Sequence, residues 1–401
     1  MVKPMFSKGK IVAKTGNEMM AEAMRQISPD VVAAYPITPA TEIVQIFSQF
    51  VADGKVPTEF VAVESEHSAM SATIAASVAG ARAMTGTSSQ GFALMWEMLY
   101  IAAGLRLPIV MAEVNRALSA PINIHGDQSD TMGARDAGWI QIYSEDPQEA
   151  YDNMIQSVRI AETAKLPTMV TTDGFIISHC MAAAEVYPDE DVKEFVGTYN
   201  PDRKLLDYKR PFTLGSIEMQ DYYFEHRYQL AQAQRDAKKI ILDVAKDFKN
   251  KFGREYGFYE KYQMDDAEIA IVTIGSAAGT TKAVINELRE KGIKAGLIKI
   301  RIFRPFPADE IAKDLANVKA LAVLDRADSC AGTFAPVYSD VVSAMYANGV
   351  TGPKAENYVY GLGGREIDMN HIKDVYMHLD EVAKGKAQAS KTVEYINVRI
   401  K

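Results

Sequence analysis

Short apolar runs alternate with longer amphipathic stretches along most of the chain. Val31 to Tyr35 and Phe60 to Val63 have the length and character of buried strands. The stretch from Thr41 to Ala52 instead repeats its apolar residues at helical spacing. A regular alternation of these two kinds of element is typical of parallel sheets with helices on both faces. The pattern therefore predicts an α/β protein built from doubly wound sheets.

The first part of this alternation predicts one doubly wound domain over residues 1–185. Thr15-x-x-Glu18 is a capping box that opens a helix, and Asp146 followed by Pro147 begins another. The helix that opens at Thr15 is predicted to end near residue 27, and the one that begins at Asp146 near residue 164. The other predicted helices are 41–52, 68–79 and 92–103. The predicted strands are 31–35, 60–63, 83–85, 108–114 and 168–172.

A second α/β domain is predicted over residues 266–385, where strands and helices alternate again. Its predicted strands are 268–274, 295–300, 321–324 and 358–360. Its predicted helices are one that follows the segment Gly275 to Thr281 and ends at Lys291, and those at 308–315, 334–347 and 367–383. Residues 386–401 are polar as far as Val393. We expect them to form a C-terminal tail that reaches a neighbouring chain.

The two domains are joined by a charged, tyrosine-rich connector, residues 186–265. We predict one long helix in it, from near Tyr222 to Phe252, which Gly253 ends. Tyrosine supplies contact area at low entropic cost, so one interpretation is that the connector lies over a partner surface. The other interpretation is a solvated arm that packs on its own domain. The sequence leaves both open.

The length and net charge of the chain limit the number of domains and the kinds of partner that it can bind. A chain of 401 residues with 48% apolar content is long enough for two domains, because a single core seldom grows past ~250 residues. Its net charge of -8 argues against a nucleic-acid or anionic-membrane surface. No apolar stretch reaches the ~18 residues of a membrane span, and the N-terminus lacks a signal-peptide core. We expect a cytoplasmic protein.

Cysteine and histidine usage argues against a metal centre on this chain. The only cysteines, Cys180 and Cys330, lie far apart, whereas an iron–sulfur cluster takes about four closely spaced thiolates. We expect both to be buried small hydrophobes in a reducing compartment. His125, Asp127 and Asp130 form a polar cluster that is more typical of a hydrogen-bonded turn than of a metal site.

Two glycine-rich segments follow predicted strands of the second domain. They begin at Gly275 and at Gly361, the latter reading Gly361-Leu362-Gly363-Gly364. Neither has the spacing of a dinucleotide-binding loop. We interpret both as tight turns.

Four polar segments stand directly after predicted strands of the first domain. They are Tyr35-Pro36-Ile37-Thr38-Pro39, Glu64-Ser65-Glu66-His67, Thr85 to Gly91, and Asn115-Arg116-Ala117. The carboxyl ends of parallel strands share one edge of a sheet, so we expect these segments to meet in space. The flanking prolines hold Thr38 in extended backbone, and Glu66 precedes a helix of small residues.

These segments resemble the pyruvate:ferredoxin oxidoreductases and their 2-oxoacid relatives, specifically the α chain of the multi-subunit forms. The resemblance covers most of the chain and includes further long strings. They are Asn115-Arg116-Ala117-Leu118-Ser119-Ala120-Pro121-Ile122-Asn123-Ile124, Arg135-Asp136-Ala137-Gly138-Trp139-Ile140-Gln141 and Phe303-Arg304-Pro305-Phe306-Pro307.

The resemblance implies roles for residues at the strand ends. It implies that Thr38 and Arg116 hold the carboxylate of a 2-oxo acid, and that Glu66 is the catalytic carboxyl group facing the aminopyrimidine of thiamine diphosphate. Glu64 is less suited to that role. The remaining cofactor-binding residues implied in the same way are Pro36, Ile37, Ser89 and Gln90.

The same resemblance implies an architecture and a reaction. The first domain would be the pyrimidine-binding type, and the second the transketolase C-terminal-like type. The reaction would convert pyruvate and coenzyme A to acetyl-CoA and CO2, with electrons passing to ferredoxin. The alternatives are a branched-chain enzyme that uses 2-oxoisovalerate, a non-catalytic scaffold of such a complex, and a lipoyl-dependent transferase, which the quoted strings disfavour.

The chain should need partner subunits. Relatives that clamp the cofactor diphosphate with Mg2+ commonly use Gly-Asp-Gly, whereas Asp53-Gly54 and Asp173-Gly174 both lack the preceding glycine. We therefore expect Mg2+ on a β subunit and [4Fe-4S] clusters on partners, with γ and ferredoxin-like δ subunits. The expected assembly is a dimer of hetero-oligomers.

Overall fold

The computed structural model describes residues 8–399 and contains three β-sheets within that range. In chain order the strands are β1 (Lys10–Lys14), β2 (Val31–Ala34), β3 (Glu59–Ala62), β4 (Ala83–Thr87), β5 (Val110–Asn115), β6 (Ile140–Tyr143), β7 (Thr168–Asp173), β8 (Ala182–Val186), β9 (Tyr259–Tyr262), β10 (Ile269–Ile274), β11 (Ala295–Ile300), β12 (Ile302–Arg304), β13 (Ala320–Asp325), β14 (Lys354–Val359) and β15 (Val393–Tyr395).

The helices alternate with these strands over most of the chain. In chain order they are α1 (Gly16–Ile27), α2 (Thr41–Ala52), α3 (Glu66–Ala79), α4 (Ser89–Leu94), α5 (Trp96–Gly104), α6 (Ser129–Gly133), α7 (Pro147–Ala164), α8 (Asp189–Val196), α9 (Tyr223–Phe252), α10 (Ala277–Glu290), α11 (Ala308–Leu315), α12 (Pro336–Ala347) and α13 (Met369–Ala383). The α/β class predicted from the alternation is confirmed.

Seven strands form the sheet of what we call the first lobe, in the order β12-β6-β7-β5-β4-β2-β3. All neighbours are parallel except β12, which runs antiparallel to β6. The chain leaves β2 first to one side, toward β3, and then returns to the other side at β4. The strand order therefore reverses between β2 and β4, which is where an open α/β sheet forms its ligand crevice.

Local sequence signals fix the helices that flank this sheet. The capping box predicted at Thr15 is present, since its hydroxyl accepts from the Glu18 backbone N–H at 3.2 Å and the Glu18 carboxylate accepts from the Thr15 N–H at 2.8 Å. Asp146 caps α7 by accepting from the Glu149 N–H at 2.8 Å. The predicted helix 92–103 is instead two helices, α4 and α5, which meet at Met95.

Six strands form the sheet of the second lobe, in the order β15-β14-β13-β10-β11-β9. Only β9 is antiparallel to its neighbour. The strand order reverses between β10 and β13, so this sheet has a crevice of its own. Separate apolar clusters fill its two faces, one around Val341 and Ile311 and the other around Val284 and Leu379.

The second half of the chain also contributes to the first lobe. β12 adds three residues to the outer edge of β6, and its Ile302 belongs to the apolar core of the first sheet. Arg304 donates from Nε to the Arg135 carbonyl oxygen at 3.0 Å. The sequence analysis did not anticipate either β6 or β12, because both are short and their pairing joins residues that are distant along the chain.

The long connector helix packs against its own lobe over most of its length. One face of α9 is buried against α7, and its residues are Leu230, Ala233, Ala237, Ile241, Val244, Ala245, Phe248 and Phe252. The segment that leads into the helix differs. We call residues 205–228 the exposed arm, because it carries the exposed apolar side chains Leu205, Leu206, Tyr208, Leu214, Ile217, Met219, Tyr222, Tyr223, Phe224 and Tyr228.

One expectation is wrong. Cys180 and Cys330 are both exposed, not buried, because each lies on a loop outside the apolar layers. The end of the chain does not leave the body over its described length. Residues 393–395 form β15, which pairs with β14, and the Ile396 N–H donates to the Val359 carbonyl oxygen at 2.9 Å.

Across residues 8–399, no helix combines the length and the apolar character that a bilayer crossing takes.

Candidate functional site

The four polar segments lie together at the carboxyl edge of the first sheet. They follow β2, β3, β4 and β5, which are neighbours in that sheet. Three links join the segments. Thr38 accepts from Arg116, the N–H groups of Arg116 and Ser89 share the Asp130 carboxylate as acceptor, and Gly91 packs against Glu66. The site is thus built around the crevice between β2 and β4.

Arg116 is held by main-chain oxygen atoms on both sides. Its Nη1 donates to the Thr38 carbonyl oxygen at 2.8 Å, and its Nε donates to the Asn123 carbonyl oxygen at 2.9 Å. The side chain is 7% exposed, and burial lowers its pKa from the ordinary value while the charge on Asp130 opposes that effect. Nη2 donates no hydrogen bond within residues 8–399. A fixed guanidinium with a free N–H is suited to an anionic group.

The loop after β2 forms the open rim beside this guanidinium. Thr38 and Pro36 are exposed, and Ile37 is half-buried. The Pro39 carbonyl oxygen accepts from the buried Asn17 Nδ2 at 2.8 Å, which ties the loop to α1. The rim therefore offers a hydroxyl group and apolar surface from a loop that is anchored at its base.

Glu66 is a buried carboxyl group at the first turn of α3. Its residue is 6% exposed, and the preceding Ser65 caps the helix by accepting from the Ser68 N–H at 3.2 Å. The Glu66 carboxylate accepts no hydrogen bond from the residues that the structure describes. A buried carboxyl group without an internal partner is well suited to a ligand that donates to it.

A glycine lets the third segment pack directly against Glu66. A Cβ atom added at Gly91 would lie 2.5 Å from Glu66 Oε1 and 2.6 Å from Thr87 Oγ1, so any larger residue would displace the carboxyl group. The Thr87 hydroxyl is buried and has no hydrogen-bond partner among the described residues. The third segment therefore approaches Glu66 closely and leaves a second unpaired polar atom there.

Glu64 occupies a different environment from Glu66. It is exposed, and its Oε1 accepts from the Ser68 hydroxyl at 2.5 Å. That hydrogen bond lowers the pKa of Glu64 from its ordinary value. Its carboxylate is thus solvated and already paired, whereas that of Glu66 is buried and unpaired.

Ser89 and Gln90 link the third segment to the fourth. Ser89 is fully buried, and its hydroxyl donates to the Ala117 carbonyl oxygen at 2.6 Å. The Gln90 Oε1 lies 2.7 Å from the same hydroxyl. Both side chains are turned toward the loop after β5 and serve to join the segments.

Asp130 is the residue that organises this edge, and the sequence analysis underrated it. Its carboxylate is buried and accepts four hydrogen bonds, from the N–H groups of Ser89, Arg116 and Thr131 and from Asn115 Nδ2, at 2.8 to 3.0 Å. Burial raises its pKa to about 6, although these donors oppose the shift. Asp127, which the sequence grouped with Asp130 and His125, instead accepts from the N–H groups of Ser129 and Gly363, at 3.0 and 2.9 Å. Within residues 8–399, no group of three or more potential ligands could hold a metal ion.

Glu113 lies beneath Asp130 inside β5. It is fully buried, and both carboxyl oxygens lack a hydrogen-bond donor among the described residues. Burial, followed by the neighbouring Asp130, raises the pKa of Glu113 well above its ordinary range. Burial without a hydrogen-bond donor thus favours the protonated form of Glu113. The signal that could have revealed it is a glutamate inside an otherwise apolar central strand, Val-Met-Ala-Glu-Val-Asn.

The donor set at the crevice fits an aminopyrimidine cofactor together with a carboxylate substrate. The unpaired Glu66 carboxyl group can exchange a proton with a ring nitrogen, and Gly91 leaves that carboxyl group in place because it has no side chain to displace it. Arg116 lies across the same crevice with a free N–H. These observations make the pyrimidine half of thiamine diphosphate a chemical match to this edge.

Two protein-family models match the chain in succession. Residues 22–246 match the model described as pyruvate flavodoxin/ferredoxin oxidoreductase, thiamine diphosphate-binding. Residues 267–372 match pyruvate:ferredoxin oxidoreductase core domain II. The first match contains all four polar segments, and the second contains most of the second lobe.

Individual relatives and one solved structure agree with these models. Pyruvate synthase subunit PorA of Thermotoga maritima is 54% identical over 367 residues, which cover 91% of this chain and 93% of that protein. Ketoisovalerate oxidoreductase subunit VorA of Pyrococcus abyssi is 41% identical, with coverages of 96% and 97%. The 2-oxoglutarate:ferredoxin oxidoreductase of Magnetococcus marinus has a similar fold, with a TM-score of 0.72 at 19% identity over 92% of this chain and 65% of that chain.

Proposed function

Because this chain belongs to the pyruvate:ferredoxin oxidoreductase family, we propose that it is the α subunit of a pyruvate:ferredoxin oxidoreductase. The enzyme decarboxylates pyruvate oxidatively with coenzyme A, giving acetyl-CoA and CO2, and passes the electrons to ferredoxin. The observation that carries the proposal is the crevice between β2 and β4. There a buried carboxyl group without an internal partner, Glu66, and a fixed guanidinium, Arg116, share one sheet edge.

Arg116 and Thr38 are the proposed substrate-binding residues. Nη2 of Arg116 is free to donate to a carboxylate oxygen of the 2-oxo acid, and the Thr38 hydroxyl lies on the adjoining rim. The two main-chain bonds at Nη1 and Nε hold the guanidinium plane before the substrate arrives. Pre-organisation of this kind saves the entropy of ordering the side chain on binding.

Glu66 is the proposed catalytic residue on this chain. Thiamine diphosphate, when bound, would supply the nucleophilic carbon and the electron sink that the decarboxylation of a 2-oxo acid needs. The role of Glu66 would be to hydrogen-bond a nitrogen of the aminopyrimidine ring and to exchange a proton with it. Pro36 and Ile37 would line the ring site, while Ser89 and Gln90 would shape it from the side of α4.

The proposal divides the chain into functional parts. Residues 1–185 form the pyrimidine-binding-type domain with the substrate pocket, 186–265 the connector, 266–385 the transketolase C-terminal-like domain, and 386–401 the C-terminal segment. The proposed site of the complex is the cytoplasm, a reducing compartment in which the exposed Cys180 and Cys330 would remain thiols.

Partner subunits are proposed to complete the cofactor site and the electron path. The β subunit would hold Mg2+ and the cofactor diphosphate, and the γ and δ subunits would carry [4Fe-4S] clusters in a dimer of hetero-oligomers. Support comes from the exposed arm, because so many exposed apolar side chains on one segment are typical of a protein interface.

Pyruvate is the proposed substrate, and 2-oxoisovalerate is the second candidate. The chain is 54% identical to a pyruvate synthase subunit and 41% identical to a ketoisovalerate oxidoreductase subunit. The test is anaerobic purification of the native complex through a tag on this chain. Coenzyme A-dependent ferredoxin reduction is then measured with pyruvate, 2-oxoisovalerate and 2-oxoglutarate. We expect reduction with pyruvate, whereas a chain that purifies alone and inactive would contradict the proposal.

A further inference from the structure

The second lobe reaches the substrate arginine through a glycine turn that follows β14. We call Gly361-Leu362-Gly363-Gly364 the glycine turn. The carbonyl oxygen of Gly363 accepts from Asn123 Nδ2 at 3.0 Å, and the Gly363 N–H donates to Asp127 Oδ2 at 2.9 Å. Asn123 in turn accepts from Arg116 Nε through its own carbonyl oxygen, at 2.9 Å. One residue, Asn123, thus joins the glycine turn to the guanidinium.

The contact between Gly363 and Asn123 leaves no room for a side chain. Gly363 has φ of +59°, and a Cβ atom added there would overlap the amide nitrogen of Asn123. The other end of the same amide group, Oδ1, accepts from the His125 N–H at 2.7 Å. A methyl group at position 363 would therefore displace the Asn123 amide from both of its partners.

The second lobe holds the far end of this loop as well. The Gln128 N–H donates to the Arg326 carbonyl oxygen at 2.8 Å, and Gln128 Nε2 donates to Asp173 Oδ1 at 2.9 Å. Asp173 is itself buried in an ion pair with Arg326 at 3.1 Å and accepts from the Ser276 N–H at 2.9 Å.

The crevice of the second sheet is therefore occupied by the first lobe. Ser276 follows β10 and Arg326 follows β13, so both lie where the strand order reverses and where such a sheet would otherwise bind a ligand. The first lobe fills that place with Asp173. The second lobe consequently forms hydrogen bonds with both ends of the segment 123–128, and Arg116 donates to Asn123 at one of these ends.

We infer that the glycine turn is a positioning element for Arg116, so that the second lobe helps to set the affinity of the enzyme for the carboxylate of the 2-oxo acid. The inference rests on the proposed function, because it assigns that carboxylate to Arg116. Asn123 is the positioning residue that transmits the effect. A shift of its carbonyl oxygen releases the guanidinium from one of its two main-chain bonds.

The test compares the complex carrying Gly363→Ala or Asn123→Ala with the unsubstituted complex. Both variants should raise the KM for pyruvate about tenfold, as expected for loss of roughly one hydrogen bond's positioning effect. The kcat and the KM for coenzyme A should stay within about twofold. The unreactive pyruvate analogue oxamate should bind about tenfold more weakly in an equilibrium titration of both variants.

Gly385→Ala is the matched control. Gly385 has φ of +73°, and a Cβ atom there meets nothing within 4 Å, so alanine brings the same backbone cost without displacing a neighbour. The KM of this control should match that of the unsubstituted complex. Unchanged pyruvate KM and oxamate affinity in Asn123→Ala would overturn the inference, and so would a rise shared with Gly385→Ala. If the unsubstituted complex does not turn over pyruvate, the proposed function fails instead.

Discussion

A single carboxylate oxygen, Oδ2 of Asp130, accepts from the backbone N–H of Arg116 at 2.9 Å and also from that of Ser89 at 3.0 Å. Ser89 begins α4, the helix that brings Gly91 against Glu66, so Asp130 sets the spacing between the two halves of the site. The proposed substrate side at Arg116 and the proposed cofactor side at Glu66 are therefore held at a fixed spacing by one buried carboxylate.

Glu66→Gln should reduce kcat by about 10²- to 10⁴-fold, because an amide cannot exchange the proton that keeps the aminopyrimidine reactive. Assembly should be unaffected, since the substitution is isosteric. The measurement is ferredoxin reduction by the anaerobic complex, with size-exclusion chromatography for assembly. Glu64→Gln is the control and should stay within about twofold of the unsubstituted rate. Near-normal turnover in Glu66→Gln would remove Glu66 from its role.

Arg116→Ala should raise the KM for pyruvate about 100-fold, because hydrogen bonds to a charged partner contribute ~1.5–3 kcal/mol. The KM for coenzyme A should change less than twofold. Arg116→Lys should fall between, since an ammonium group cannot reproduce the planar fork. Initial rates at varied concentrations of each substrate test this. Parallel increases in both KM values would mean that Arg116 has a structural role only.

Asp130→Asn should destabilise the complex and raise the KM for pyruvate, because the new amide cannot accept all four hydrogen bonds. We expect a loss of ~1–3 kcal/mol in the free energy of unfolding. Glu113→Gln should cost less than ~1 kcal/mol, since glutamine mimics a protonated acid. Thermal unfolding of the two variants side by side is the measurement. Equal losses would indicate that Glu113 is ionised.

Asp152 should make the folded chain less stable as the pH rises from about 4 to about 7. Burial raises its pKa to about 7, against the opposing effects of the hydrogen bond from Tyr256 at 2.6 Å and of Arg254 at 3.5 Å. The folded state therefore keeps a proton that the unfolded chain loses near pH 4, and stability falls until both states are ionised.

Asp152→Asn should flatten this part of the stability profile. The measurement is the melting temperature of the variant complex at intervals between about pH 4.5 and about pH 8, compared at each pH with that of the unsubstituted complex. Asp247→Asn, a substitution of an exposed carboxylate on α9, is the control and should leave the slope as it is. An unchanged slope in Asp152→Asn would show that the carboxyl group does not retain its proton on folding.

The sequence predicted most of the strands and helices of both sheets because each of these follows from a local pattern. The capping box at Thr15, the helix start at Asp146 and the stop at Gly253 depend on residues within one turn of each other. The convergence of Thr38 and Arg116 followed from a general rule, since each comes directly after a predicted strand and the carboxyl ends of parallel strands share one edge of a sheet. Such features need no knowledge of distant contacts.

What the sequence did not reveal depends on pairing between distant residues. β12 is three residues long and gains its partner only when the two lobes meet. Asp130 resembles any polar loop residue until its donors from β4 and β5 converge on it. The cysteines were misplaced for a related reason, because the average burial of a residue type says nothing about which loop carries it.

β12 has a consequence for how the polypeptide can be divided. A protease that cut between α9 and β9 would not free an independent N-terminal fragment, because the strand that covers the outer edge of β6 would stay on the other piece. The N-terminal fragment expressed alone would present the bare N–H and C=O groups of β6 to other molecules and should aggregate. When it is mixed with the C-terminal fragment, it should become soluble again, because β12 of that fragment can pair with β6.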